Sequence, residues 1–264
     1  MNENQVHINA GTSCLADVSR GGIALVTGGS RGIGAAAVRA LAAVGYTVVF
    51  SYRAATEEAA GVVRAVADGN GSAVAVRADA SVPANLEAMF RRVDEIGGPL
   101  QVLVNNAAVL GPLIRFAEVR AETLRQIIDV NLLGAMLCTQ HGIARMSTRS
   151  GGIGGSIINV SSGAARHGSP GTSVCYGATK AGLETLTIGL SQELASEGIR
   201  VNAVVPGLVR TDMANPEVLT RAHELVPMGR AGTPEEVAEA ISWLAGDKSG
   251  YVSGAVVRVA GGLF

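Results

Sequence analysis

Charge is scarce in this chain. Lys, Arg, Asp and Glu make up 16% of its 264 residues, and 21 basic against 22 acidic side chains leave a net charge of −1. Without a basic excess there is no electrostatic footprint for a nucleic-acid backbone or an anionic membrane surface, so neither partner is expected. Cysteine occurs only at Cys14, Cys138 and Cys175, an odd count with no metal-ligand spacing. That excludes a paired disulfide framework, offers no metal site, and fits a reducing, cytoplasmic compartment. No run reaches the roughly 18 consecutive apolar residues expected of a membrane span. The first twenty residues carry Glu3 and Asp17 and no apolar core, unlike a secretory signal. Residues 1–21 therefore read as a flexible leader, and 22–264 as a single domain, a natural size for one α/β unit.

Glycine, in contrast, is abundant at 35 residues, which implies tight turns and close backbone approaches. The chain alternates short β-branched runs with helical patterns. Strands are expected at Ile23–Thr27, Thr47–Ser51, Ala73–Arg77, Leu100–Val104, Ser156–Val160, Ile199–Val205 and Ala255–Val259. Helices are expected over Ala35–Val44, Glu57–Ala67, Pro83–Ile96, Thr123–Met146 and beyond Tyr176. Such alternation predicts a doubly wound, Rossmann-like parallel sheet of about seven strands with helices on both faces. Gly232–Ala238 carries Thr233, Pro234 and Glu236 in capping-box order, the start of another helix.

Two stretches carry chemistry. The first is Gly28-Gly-Ser-Arg-Gly-Ile-Gly34, set between a strand and a helix. There the glycines let the backbone approach a pyrophosphate, and free N–H groups with the helix dipole favour negative charge. Gly28, Ser30, Arg31, Gly32, Ile33 and Gly34 are thus expected to hold a dinucleotide. The second runs from Ser161-Ser162 to Tyr176-Gly-Ala-Thr-Lys180. Tyr176 and Lys180 are i and i+4, on one helix face. An ammonium beside a phenol favours phenolate, so Lys180 is expected to draw the Tyr176 pKa down from about 10 towards neutral. Such a phenol can pass a proton to or from a carbonyl oxygen.

The order Thr27-Gly28-x-x-x-Gly32-x-Gly34, then Ser162, then Tyr176-x-x-x-Lys180 resembles the short-chain dehydrogenase/reductase family, in the branch of about this length. The likeness spans residues 22–264 and points to 3-oxoacyl reductases and sugar dehydrogenases within it. It implies an oxidoreductase moving hydride between a nicotinamide cofactor and a small carbonyl or alcohol substrate. Tyr176 would be the acid/base, Lys180 its partner, Ser162 the group that positions the carbonyl, and Asn131 the end of a proton relay reaching Lys180 through water. Family members carry thirteen residues from Ser to Tyr, which falls here on Gly163. The glycine-containing loop absorbs one extra residue, so Ser162 is assigned, with Ser161 as the fallback.

The resemblance also implies that Asp79-Ala80 lies by the adenine, although Asp79 could instead cap the next turn. Asn106 and Ala107 would touch the ribose, within Asn105-Asn-Ala-Ala108 where the family has a final Gly. Pro206, Gly207, Val209 and Thr211 would border the nicotinamide. Asn215–Met228 would form an irregular lid. At the second strand end, Tyr52 stands where an acid would bind a ribose 2′-OH, and Arg53 follows. With Arg31, this favours a 2′-phosphate, hence NADP(H). Arg166 and His167 could border the substrate or be solvated. A homotetramer is implied, pairing the last strand and the Val237–Leu244 helix across a two-fold. The rival reading is an NADP(H)-binding sensor or scaffold without turnover; such proteins tend to lose the Tyr or Lys, and this chain keeps both.

Overall fold

The computed structural model describes residues 22–263, so the leader 1–21, with Cys14, lies outside the described residues. Seven strands form one parallel sheet: β1 (Ile23–Val26), β2 (Thr47–Tyr52), β3 (Ser72–Arg77), β4 (Leu100–Asn105), β5 (Gly155–Val160), β6 (Ile199–Pro206) and β7 (Val256–Val259). Their order is β3-β2-β1-β4-β5-β6-β7. Parallel pairing buries both faces, and successive side chains point opposite ways. Ala24 and Val26 pack on one side with Phe50, Val104 and Ile158, while Ile23 and Leu25 pack on the other with Leu103, Ile157 and Val201.

The first layer is covered by α1 (Gly32–Ala43), α2 (Thr56–Asp68) and α10 (Pro234–Ala245), and the second by α3 (Pro83–Ile96), α5 (Gly134–Met146) and α7 (Val174–Glu193). Shorter elements are α4 (Ala121–Ile128), α6 (Ala164–His167), α8 (Pro216–Thr220) and α9 (Ala222–Leu225). The last two give the Asn215–Met228 stretch its irregular helical character, and it is entered through Asn215, whose Oδ1 accepts from Glu217 N at 2.8 Å.

Three expectations change. The first helix starts at Gly32, not Ala35, so the glycine turn and the first helical turn are one structure. The helix expected over Thr123–Met146 is α4 and α5 joined by a π-helical turn, Asp129–Leu133, and it begins at Ala121. Taken together, Ala121–Met146 has the length and hydropathy of a membrane span, although it contains no unbroken run of 18 apolar residues. Its apolar content has another use: Cys138 and Met146 sit in the core with Leu103 and Ile157. Third, the Val237–Leu244 helix has only its outer face free for pairing. Val237, Ala238, Ile241 and Leu244 are at most 1% exposed against the sheet and α1, leaving Trp243 as that segment's exposed apolar side chain.

The capping box at α10 forms as read. Thr233 Oγ1 accepts from Glu236 N at 3.4 Å, and Glu236 Oε2 accepts from Thr233 N at 2.8 Å. Arg230 lies 2.6 Å from the Glu236 carboxylate, and its hydrogen bond is the main reason that carboxyl is held down at about 2. Replacing Thr233 with Ala should cost about 1 kcal/mol. In a chain of this size that lowers Tm by about 2–4 °C, which thermal unfolding followed by circular dichroism would show.

Candidate functional site

Strand order reverses between β1 and β4, and a crevice opens there at the carboxyl ends of the strands, as this topology requires. It is a cavity of about 900 Å³. One end is the glycine turn, and the other is the face of α7 that carries Tyr176.

At the glycine end the backbone comes as close as the sequence implied. Gly28 has φ +69°, and a Cβ on Gly34 would lie 2.2 Å from Gly28 O and 2.5 Å from Asn106 Nδ2. Arg31 is the N-cap of α1 and makes no side-chain cap bond, so first-turn N–H groups remain available to an anion. Thr27 stitches this turn to the next loop: its Oγ1 accepts from Asn106 N and Ala107 N, both at 3.0 Å. Asn106 Nδ2 returns bonds to Thr27 O at 2.9 Å and Gly28 O at 3.0 Å. Ser30, Gly32 and Ile33 line the same cavity.

Tyr52 is the buried last residue of β2, and Arg53 follows it at the cavity edge. Arg31 Nη1 stands 3.6 Å from Asp212 Oδ2, with both side chains largely exposed. One contributor escaped the sequence reading. Arg77, the register partner of Tyr52, donates from Nε to Arg53 O at 3.3 Å and braces the loop that presents Arg53. Asp79 caps the next turn and also faces the cavity. It lines the cavity with Ala80, and its Oδ1 accepts from Ser81 N at 2.9 Å and Ser81 Oγ at 2.7 Å.

At the far end Tyr176 and Lys180 are 8% and 1% exposed. Lys180 Nζ lies 5.6 Å from the centre of the Tyr176 ring and donates to Val160 O, at the end of β5, at 2.7 Å. Burial pushes Lys180 down to about 8. It also pushes the Tyr176 phenol above its ordinary value, with the Ser162 hydroxyl beside it opposing the rise. This corrects the expected fall towards neutrality. The desolvation of a phenolate at this depth outweighs the lowering by the Ser162 hydroxyl.

The two serines separate. Ser161 Oγ is turned into α7, 2.8 Å from Glu184 Oε1 and 3.2 Å from Lys180 O. Ser162 is the one beside Tyr176, its Oγ accepting from Ala164 N at 3.2 Å. Between Ser162 and α7 the loop makes the single turn of α6. Arg166 and His167 on that turn are exposed and do not line the cavity; His167 Nδ1 accepts from Ser169 N.

Asn131 is fully buried in the π turn. Its Oδ1 accepts from Val109 N at 2.8 Å, and its Nδ2 donates to Val109 O at 2.9 Å and Thr179 Oγ1 at 3.2 Å. The side chain thus binds the cavity wall and α7 rather than Lys180 itself. Thr179 was missed by the sequence reading. Pro206, Gly207, Val209 and Thr211 line the cavity where β6 ends; Val209 bridges to Gly232, and the Thr211 methyl approaches Gly32.

Residues 28–264 match the family described as enoyl-(acyl carrier protein) reductase. The uncharacterized oxidoreductase YgfF of Escherichia coli K12 is 43% identical over 244 residues, covering 91% of this chain and 99% of that protein. A short-chain dehydrogenase/reductase from Serratia marcescens superposes with TM-score 0.86 at 34% identity, covering 92% of this chain and 98% of that one. A short-chain dehydrogenase from Burkholderia cenocepacia, solved in complex with NADP, gives TM-score 0.86 at 29% identity over the same shares. With the glycine turn, the Tyr176–Lys180 helix face and the sheet order all in one crevice, the chain belongs to the short-chain dehydrogenase/reductase family.

Proposed function

We propose that the chain is an NADP(H)-dependent oxidoreductase interconverting a carbonyl and a secondary alcohol. The observation that carries this reading is the pairing, in one cavity, of a glycine-and-arginine end with a buried Tyr176–Lys180 end. The cavity suits the cofactor on its own evidence. Gly28 and Gly34 leave a cradle that any Cβ would fill, α1 offers uncapped N–H groups, and Arg31 and Arg53 line the wall near Tyr52. Gly28, Ser30, Gly32, Ile33 and Gly34 would hold the pyrophosphate, Arg31 and Arg53 the 2′-phosphate, and Asp79, Ala80, Asn106 and Ala107 the adenosine and ribose. Pro206, Gly207, Val209 and Thr211 would border the nicotinamide. The relatives solved with NADP and with NADPH support the choice of cofactor.

The cofactor supplies the hydride that goes to the carbonyl carbon. Tyr176 does the proton chemistry. Burial keeps its phenol protonated at neutral pH, the form that gives a proton to the carbonyl oxygen in reduction; oxidation starts from the phenolate, which takes the proton of the alcohol. Ser162 donates a hydrogen bond to the same oxygen. Lys180 keeps a positive charge beside the phenol and reaches the nicotinamide ribose. Asn131 fixes the π turn and Val109 against this end. Retention of both Tyr176 and Lys180 favours this reading over a sensor without turnover.

A cytoplasmic homotetramer belongs to the same proposal. Trp243 on one face and Ile128, Leu133 and Ile188 near the other are 42–48% exposed, which supplies apolar surface on both sides of the sheet. Light scattering should give the mass of four chains, and a monomeric mass would contradict it.

Changing Tyr176 to Phe should lower turnover by about 10²–10⁴-fold and leave NADPH binding intact, as steady-state assays on a carbonyl panel and cofactor titrations would show. Arg53→Ala should weaken NADPH by roughly ten- to a hundredfold, through one lost charge-assisted contact, and NADH much less. The pH dependence has a definite sign. Lys180 is charged below about 8 in the free protein and neutral above it. NADPH affinity, followed by nicotinamide fluorescence, should therefore be level below that pH and decline above it. In Lys180→Ala it should be low throughout, with no such decline.

A further inference from the structure

We infer that Thr179 is a positioning residue for the proton donor, coupling the π turn to the catalytic turn of α7. The inference rests on the proposed role of Tyr176. Thr179 is 2% exposed. Its Oγ1 donates to Tyr176 O at 2.8 Å and accepts from Asn131 Nδ2 at 3.2 Å. Thr is a poor choice inside a helix on propensity alone, and a hydroxyl bonded back to the preceding turn tends to bend the helix. The lateral bond accounts for its presence.

Followed outward, the bonds form one line through three elements. Val109, on the cavity wall after β4, is gripped through both its N–H and C=O by Asn131. Asn131 stands in the π turn, where the widened helical turn directs it at α7. Thr179 takes up its remaining amide hydrogen and passes the constraint to the carbonyl of Tyr176. Asn131 and Thr179 are both buried, so no solvent competes for these bonds. The phenol is thereby set relative to Val109 on the cavity wall. No bond in this line touches the glycine turn, so the pyrophosphate contacts there are not broken with it.

Thr179→Val keeps the shape of the side chain and removes the hydroxyl. A reacting group displaced by about 1 Å loses rate by about a hundredfold, so kcat should fall by about ten- to a hundredfold. NADPH affinity should stay within about twofold of the parent, and Thr179→Ser should restore kcat. In a double-mutant cycle with Asn131→Ala, the two losses in kcat should be far from additive, because either change breaks the same line. Circular dichroism and thermal unfolding of each variant separate this from loss of the fold. The inference is overturned if Thr179→Val keeps full turnover, if Ser does not restore it, or if NADPH binding falls in step with kcat. Tyr176→Phe is run in parallel: if it keeps full activity, the reading beneath fails, whereas an inert Thr179→Val beside a dead Tyr176→Phe rejects only the coupling.

Discussion

The structure depends on burying one ammonium. Lys180 is 1% exposed, and among the described residues no carboxylate pairs with it. A lone buried cation is costly, and the Val160 carbonyl at the end of β5 is what receives it. The cost has a pH signature. Because the folded-state pKa of about 8 lies below the ordinary lysine value of 10.5, the folded protein binds fewer protons between them. Burial of Lys180 therefore penalises stability fully below that window, and the penalty is relieved as pH rises through it. A fold optimised for stability alone would place an apolar side chain there; strain of this kind collects at sites that use it.

Much of the surrounding architecture holds the strand end and α7 in the relation this contact needs. Ser161 ties β5 to Glu184, two turns along from Tyr176. Asn105, Asn159, Thr139 and Thr187 extend a buried polar line through the sheet–helix interface behind them. At the other end Thr27 uses one hydroxyl to lock the glycine turn to Asn106 and Ala107. The two ends are rigid separately, and the sheet between them sets their spacing.

What was legible in the sequence was whatever depends on local pattern. Strand, glycine turn and helix at residues 23–43 needed only periodicity and the conformational freedom of glycine. Tyr176 and Lys180 had to share a helix face once four residues separated them. Thr233, Pro234 and Glu236 spelled out their own cap. The π turn at Asp129–Leu133 was not legible, because no propensity distinguishes it from the α-helix around it. Nor were the roles of Thr179 and Arg77, whose partners lie 48 and 24 residues away. The direction of the Tyr176 shift was misjudged for the same reason: a neighbouring charge can be read from spacing, but depth of burial cannot. Nor does pattern show that most apolar side chains of Val237–Leu244 are taken up by tertiary partners, which leaves Trp243 outward.

The proton-handling account turns on the state of one phenol, which can be observed without turnover. Tyrosinate formation in the free protein is followed by ultraviolet difference titration, and the curve for Tyr176→Phe is subtracted from that of the parent. If burial governs the site, the difference signal appears only above the ordinary phenol value of about 10. A phenolate at Tyr176 that titrates near neutrality in the free protein would contradict the account, and would mean that the Lys180 charge prevails over burial.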